Sequence, residues 1–302
     1  DLWRQSKLGE KPEYTWQDAV VKWLSEVRDK RKRRMENAKI QLKWLTPYLR
    51  HKKLSEIDRN LLDSLAKKKE EEKVAPATVN RMLEIVRAIL NKAANDWGWI
   101  EKAPKIPMRY EGEARERWLT KEEANQLLKE LPAHLGDIAA FSLSTGLRKA
   151  NVLGLRWKQV DLVKRHAFVS ASQSKTRRAI PVPLNEEAVE VIRRQRGKHF
   201  EYVFTYKGKP IKRCNTPAWR KALKRVGIED FRWHDLRHTW ASWHVQNGTS
   251  LYELQKLGGW SSLDMVNRYA HFNSDYLKKA ADHLVTGTNL VHGAYISQVG
   301  NN

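Results

Sequence analysis

The stretch Leu257-Gly258-Gly259-Trp260-Ser261-Ser262-Leu263-Asp264-Met265-Val266-Asn267-Arg268-Tyr269-Ala270-His271 places a glycine pair between two candidate helices, over 251–257 and 262–272, and carries a phenol near its end. Just upstream, His234-Asp235-Leu236-Arg237-His238 opens a further candidate helix over 234–247. There His234, Arg237, His238 and Ala241 follow i, i+3, i+4, i+7 spacing and share one face, while Leu236, Trp240 and Trp243 turn elsewhere. A guanidinium forks onto two phosphate oxygens, and a neighbouring imidazole adds a donor or a proton acceptor. A surface ion-pair helix gives the same pattern, so the spacing alone does not decide the chemistry.

Composition narrows the choice. Against 35 Asp and Glu stand 57 Lys and Arg, a net charge of +22 that steers the molecule toward polyanions, with nucleic acid the leading partner class. No apolar run approaches the roughly 18 residues of a spanning helix, and no lipidation signal appears, which argues against a membrane partner. The single cysteine, Cys214, has no partner within the chain, and the N-terminus carries no apolar secretory stretch, so a cytoplasmic setting fits. A phenol near Arg and His on such a surface suggests attack on a DNA phosphodiester.

Working outward, the expected organisation is a remnant or linker over 1–14, a helical domain over 15–99, a linker over 100–117, a second domain over 118–285 and a tail over 286–302. Thr15 caps a helix carrying Ala19, Val20, Trp23, Leu24 and Val27, and a longer one runs from Pro76 through Met82, Val86, Ile89, Leu90 and Ala93 to near Gly98. The polar face of that longer helix offers Thr78, Asn80, Arg81, Arg87 and Lys92 as candidate phosphate contacts. Thr120 and Glu123 form a capping box that opens the second domain. Within it, 166–171 and 179–184 read as strands joined by a turn bearing Lys175, and 186–196 and 217–226 as helices. The fold class is therefore mainly α with a small antiparallel β-sheet.

Taken in order, TGLRKANVLGLRW from Thr145, SKTRRAIPVPL from Ser174, HDLRHTWAS from His234 and LGGWSSLDMVNRYAH from Leu257 resemble the tyrosine recombinases, or phage integrases. Tyr269 also follows Trp260 by nine positions, as in that family's active-site pattern. The resemblance is strong over 120–284 and looser over 15–97, and it implies a helical core-binding domain followed by a mixed α/β catalytic domain. Residue by residue it assigns Arg148 and Arg237 as the two arginines, Lys175 as the hairpin lysine, His234 as the first histidine, Trp260 at the His-or-Trp position and Tyr269 as the nucleophile. His238 is a further site candidate of lower rank.

The resemblance implies cleavage of one DNA strand at a time through a 3′-phosphotyrosyl bond, with release of a 5′-hydroxyl. Tyr269 then needs a proton acceptor, for which His234 is the candidate base. Arg148 and Arg237 would hold the charge that builds on the phosphate, and Lys175 would protonate the leaving oxygen. No metal or cofactor enters this scheme.

The implied partners are double-stranded DNA attachment sites, three further copies of the chain in a homotetramer on synapsed DNA, and DNA-bending or excision accessory proteins, on the nucleoid of a bacterial host. Residues 275–284 are an amphipathic stretch expected to dock on a neighbouring subunit or within the chain. Two alternatives stay open from the sequence: a type IB topoisomerase that reseals the same strand, and a DNA-binding protein that has lost catalysis. Three departures from the family pattern stand out. Asn151 replaces a frequent acidic residue three positions after Arg148, and Trp260 replaces the commoner His. The chain begins at Asp1, and the segment before Thr15 is too short for a separate arm-binding domain, which is expected to be absent or to belong to a longer chain.

Overall fold

The computed structural model describes residues 12–27, 32–112, 115–173 and 179–272. Lys175, the stretch 275–284 and the tail lie outside the described residues. Two compact units divide the chain, 1–114 and 115–302.

In the first unit, Thr15 and Asp18 cap α1 (Trp16–Val27) reciprocally. The Thr15 N–H donates to Asp18 Oδ2 at 2.9 Å and the Asp18 N–H to Thr15 Oγ1 at 3.3 Å. After it come α2 (Lys32–Leu49), α3 (Arg59–Glu70) and the 20-residue α4 (Pro76–Asn95), which Pro76 starts at a position where a backbone N–H has no helical partner to lose. α4 packs on the other three helices, and its Met82, Leu83, Val86, Ile89 and Leu90 are fully buried. Each such side chain contributes about 1.5–3 kcal/mol on leaving water, which makes α4 the axis of this unit. Apolar spacing alone does not reveal α2 and α3, because basic residues crowd both and Pro47 sits inside α2.

The second unit opens with α5 (Lys121–Glu130), where Thr120 and Glu123 form the expected capping box at 2.9 and 3.1 Å. Next come α6 (Ala133–Thr145), α7 (Lys149–Leu153) and a three-stranded antiparallel sheet in the order β1 (Val160–Asp161), β2 (His166–Val169), β3 (Ile180–Pro183). β2 and β3 pair from His166 with Pro183 to Val169 with Ile180, and Ala167, Val169, Ile180 and Val182 face the core. Both strands are shorter than the sequence suggests. Further on lie α8 (Glu186–Arg193), a two-stranded hairpin of β4 (Thr205–Tyr206) and β5 (Lys209–Pro210), α9 (Pro217–Arg225), α10 (Asp235–Gln246), α11 (Leu251–Gly258) and the short α12 (Asp264–Asn267). α6 is central here, packed on α8 and α10. The single helix expected over 262–272 is broken. Beyond Asn267, hydrogen bonds from Tyr269 N–H to Val266 O and from Phe272 N–H to Tyr269 O span three residues, tightening the chain into a 3₁₀ turn at Ala270–Phe272. No helix among the described residues is long and apolar enough to cross a membrane.

The polar face proposed for α4 divides on inspection. Arg81 and Arg87 are exposed and Thr78 is half-buried. Asn80 corrects the expectation. It is only 4% exposed, and its amide holds the 103–111 segment by accepting from Arg109 N–H at 2.7 Å and donating to Arg109 O at 2.8 Å and Glu111 Oε1 at 2.7 Å. Lys92 is already paired, 2.7 Å from Glu26 and 2.6 Å from Asp96, so two carboxylates compete with any phosphate for it. Asn80→Ala should therefore lower stability by about 1–3 kcal/mol by stranding the Arg109 backbone groups. Urea unfolding checks this, and a loss of DNA affinity with unchanged stability would restore Asn80 as a contact.

Candidate active site

Two turns are held together by one side chain. α6 ends on Gly146 in left-handed backbone, φ 61°, and a Cβ there would stand 2.2 Å from Trp240, so only glycine lets the turn close against α10. A similar constraint acts at the end of α11, where a Cβ on Gly258 would stand 1.8 Å from the Trp260 ring. Both glycine carbonyls accept from Arg237, Nη1 to Gly146 O at 2.5 Å and Nη2 to Gly258 O at 2.7 Å. The guanidinium lies 3.9 Å over the Trp260 ring, which is itself stacked on Trp240 at 6.0 Å. Arg237 is 5% exposed, and burial, then the charge of Arg148, pushes its pKa down to about 9.

Arg148 is the N-cap residue of α7, two positions beyond the Gly146 turn. Burial lowers its pKa, and its buried Nη1 has no hydrogen-bond partner. Among the described residues no carboxylate pairs with Arg148 or Arg237. Position 151, three residues on, is a buried asparagine and supplies no negative charge. Two guanidiniums that feel each other's charge and have no carboxylate partner are chemically suited to hold an anion.

The phenol lies next to this receptor. Tyr269 falls in the tight turn after α12, is 4% exposed, and has its ring 6.1 Å from that of Trp260. Burial pushes it up to about 12, opposed by the charges of Arg268 and Arg237. Its hydroxyl is 2.5 Å from His238 Nδ1. The imidazole that meets the phenol is thus His238, not His234, the residue expected as the base. His234 is the N-cap residue of α10 and keeps exposed surface, with its ring at 90° to that of His238 and 5.3 Å away. Its pKa is lowered, first by the surrounding chain and then by Arg237.

Sequence reasoning did not find the group that fixes the start of α10. Buried Asp235 accepts from the Arg232 N–H at 2.7 Å and from Arg115 Nη2 at 2.9 Å, and Arg115 also reaches Asp230 at 2.6 Å. An acid in the first helical turn was a local signal for Asp235. Arg115, 120 positions away, had none.

A mainly helical protein with small antiparallel sheets, an unneutralised pair of guanidiniums and a buried phenol beside them is the class the coordinates define. Residues 117–275 match the phage integrase family, and residues 18–108 match the phage integrase SAM-like domain. The sequence is 37% identical to the integrase of Salmonella phage P22, an alignment covering 93% of this chain and 82% of that one. With the integrase of Escherichia phage 186 it shares 31% identity over 74% of this chain, and spans 65% of that relative's length. In fold it resembles the Tn1549 transposon integrase in complex with transposon right end DNA, with TM-score 0.77, 17% identity, and coverage of 90% of this chain and 100% of that one. The chain belongs to the phage integrase family, the tyrosine recombinases.

Because Arg148 Nη1 is desolvated without an acceptor, Arg148→Met should raise the stability of the DNA-free protein, by about 1 kcal/mol, while abolishing strand cleavage. Thermal unfolding beside a cleavage assay reads both, and a destabilised Arg148→Met protein would show that the guanidinium is paired after all.

Proposed function

We propose that this protein is a site-specific DNA recombinase that cuts and rejoins strands through a phosphotyrosyl link to Tyr269, in phage or mobile-element integration and excision. The observation that carries the reading is the pair Arg148 and Arg237, two guanidiniums without a carboxylate partner, beside a buried tyrosine hydroxyl. A scissile phosphate supplies the missing negative charge. As Tyr269 Oη bonds to phosphorus, charge grows on the non-bridging oxygens, where donors already in place stabilise the transition state most. Arg237 uses two of its five N–H donors on Gly146 and Gly258, which leaves others for the phosphate. His234, at the edge of the pocket, is a further donor, and Trp260 supports the guanidinium from behind. Lys175 is assigned to the leaving 5′-oxygen.

The phosphotyrosyl bond keeps the energy of the broken linkage, so a 5′-hydroxyl of a second duplex can attack it and complete exchange without ATP. Relatives support exchange over simple resealing: besides the phage integrases, one is named a shufflon-specific DNA recombinase, and a solved neighbour is a lambda integrase tetramer bound to a Holliday junction. A tetramer on paired attachment sites follows by analogy. The basic surface makes affinity strongly salt-dependent.

The test uses a randomised library of nicked duplexes, from which DNA joined covalently to protein is recovered under denaturing conditions and sequenced. The parent protein should capture a defined sequence, and Tyr269→Phe should capture none. Adduct formation by Tyr269→Phe would overturn the assignment, and plasmid relaxation without recombinant products would favour a topoisomerase.

A further inference from the structure

Resting on Tyr269 as the nucleophile, we infer that His238, through Nδ1, is the group that takes the phenol's proton during strand cleavage and returns it when the strand is rejoined. The first observation is contact: Tyr269 Oη and His238 Nδ1 are 2.5 Å apart, within the range in which a proton passes directly. The second is exclusion of rivals. The cavity beside the pair, bordered by Arg115, Trp118, Ser242, Arg268 and Phe272, measures about 10 Å³, the lower limit for a single water molecule. At most one water molecule fits beside the pair, whereas His238 already touches the hydroxyl. The third is origin on one rigid element: His238 lies on α10 one position beyond Arg237, so the proton acceptor and the phosphate clamp move as one body.

The charges around His238 set its resting form. From α10 itself come His234, Asp235 and Arg237; from the α12 turn, Arg268 and Tyr269; from the segment before α5, Arg115, Glu116 and Arg117. Burial, then the neighbouring His234, depresses the imidazole to about 4. It is neutral at physiological pH, with Nδ1 free to accept. In the forward step the Oη–H bond breaks toward Nδ1 as the Oη–P bond forms and the P–O5′ bond breaks, the 5′-oxygen leaving with a proton from the general acid. In the reverse step the incoming 5′-hydroxyl gives its proton to the conjugate base of that general acid as the P–O5′ bond forms, and the displaced Oη recovers its own proton from the imidazolium. No oxidant, metal or further reactant is involved. His234, more exposed and facing Arg148 and Arg237 electrostatically, is then a phosphate donor rather than the base.

Protonation of His238 removes the acceptor, so cleavage falls as pH drops through its pKa. A bound phosphate raises that value, which places the fall between about 4 and the ordinary imidazole value of about 6.5. The experiment is single-turnover cleavage of the duplex recovered from the library, measured across pH with the parent, His238→Asn, His238→Gly and His234→Asn. Asn at position 238 keeps an oxygen acceptor for the phenol but cannot take a proton.

His238→Asn should bind DNA as the parent does, cleave about a hundredfold more slowly and lose the acidic limb. Added imidazole should restore cleavage to His238→Gly, which provides the same answer if the Asn variant does not fold. Cleavage by His238→Asn within about threefold of the parent, with the limb intact, would overturn the inference, as would loss of the limb in His234→Asn instead. An adduct formed by Tyr269→Phe would instead remove the underlying reading of the nucleophile, so the two failures are distinguishable.

Discussion

Arg237 is the residue on which the catalytic unit depends. Its two hydrogen bonds join the turn that ends α6 to the turn that ends α11, so segments more than a hundred positions apart are fixed to one planar group. Charge-assisted bonds of this kind are worth about 1.5–3 kcal/mol each, and the indole beneath the guanidinium adds a further attraction. Lysine could not replace it. A single ammonium cannot span two carbonyls in a plane and still present donors to a third group. The glycines at 146 and 258 belong to the same arrangement, since a Cβ at either would drive Trp240 or Trp260 out of the stack that supports the guanidinium.

The unit is built around a charge it does not neutralise. Several arginines elsewhere in it have carboxylate partners, among them Arg115 with Asp230 and Asp235, Arg117 with Glu123, Arg194 with Asp137 and Arg225 with Glu130. Arg148, half-buried, and Arg237, buried, have none among the described residues. Leaving one buried and one half-buried cation without a counter-charge costs folding stability, a cost accepted where binding an anion is the purpose.

Much of this was legible in the sequence, for reasons that differ between elements. Capping residues at Thr15 and Thr120 act within three positions of themselves, so their hydrogen bonds follow from local order alone. The motif residues Arg148, Arg237, Trp260 and Tyr269 carry family spacing, and they come together in one unit. α3 was hidden because three consecutive lysines mask the spacing of Leu61, Leu62 and Leu65, and β4 and β5 because two-residue strands have no period to detect. Asn80 misled because a polar residue on a helix next to arginines looks solvated, whereas its partner is backbone 29 positions on. The place of His238 could not be read from helical spacing either. His234 and His238 share a face one turn apart, and what separates them is the break after Asn267 that brings Tyr269 down onto the deeper of the two.

That break also bears on the chemistry. A continuous helix over 262–272 would follow 3.6-residue geometry past Asn267, whereas the three-residue hydrogen bonds change the direction in which position 269 projects. The phenol is thereby buried against Trp260 and His238 instead of standing in solvent, and burial makes it a weaker acid, with a pKa near 12. That shift cuts the phenolate present at neutral pH about a hundredfold, so the proton has to leave as the oxygen attacks rather than beforehand. What is gained is control of water. A phosphotyrosyl bond that must wait for a second DNA end survives only if hydrolysis is slower than exchange, and a tyrosine on a dry face meets that requirement better than an exposed one. The same burial favours a proton acceptor supplied by the protein, because the hydroxyl has little contact with solvent and already touches His238.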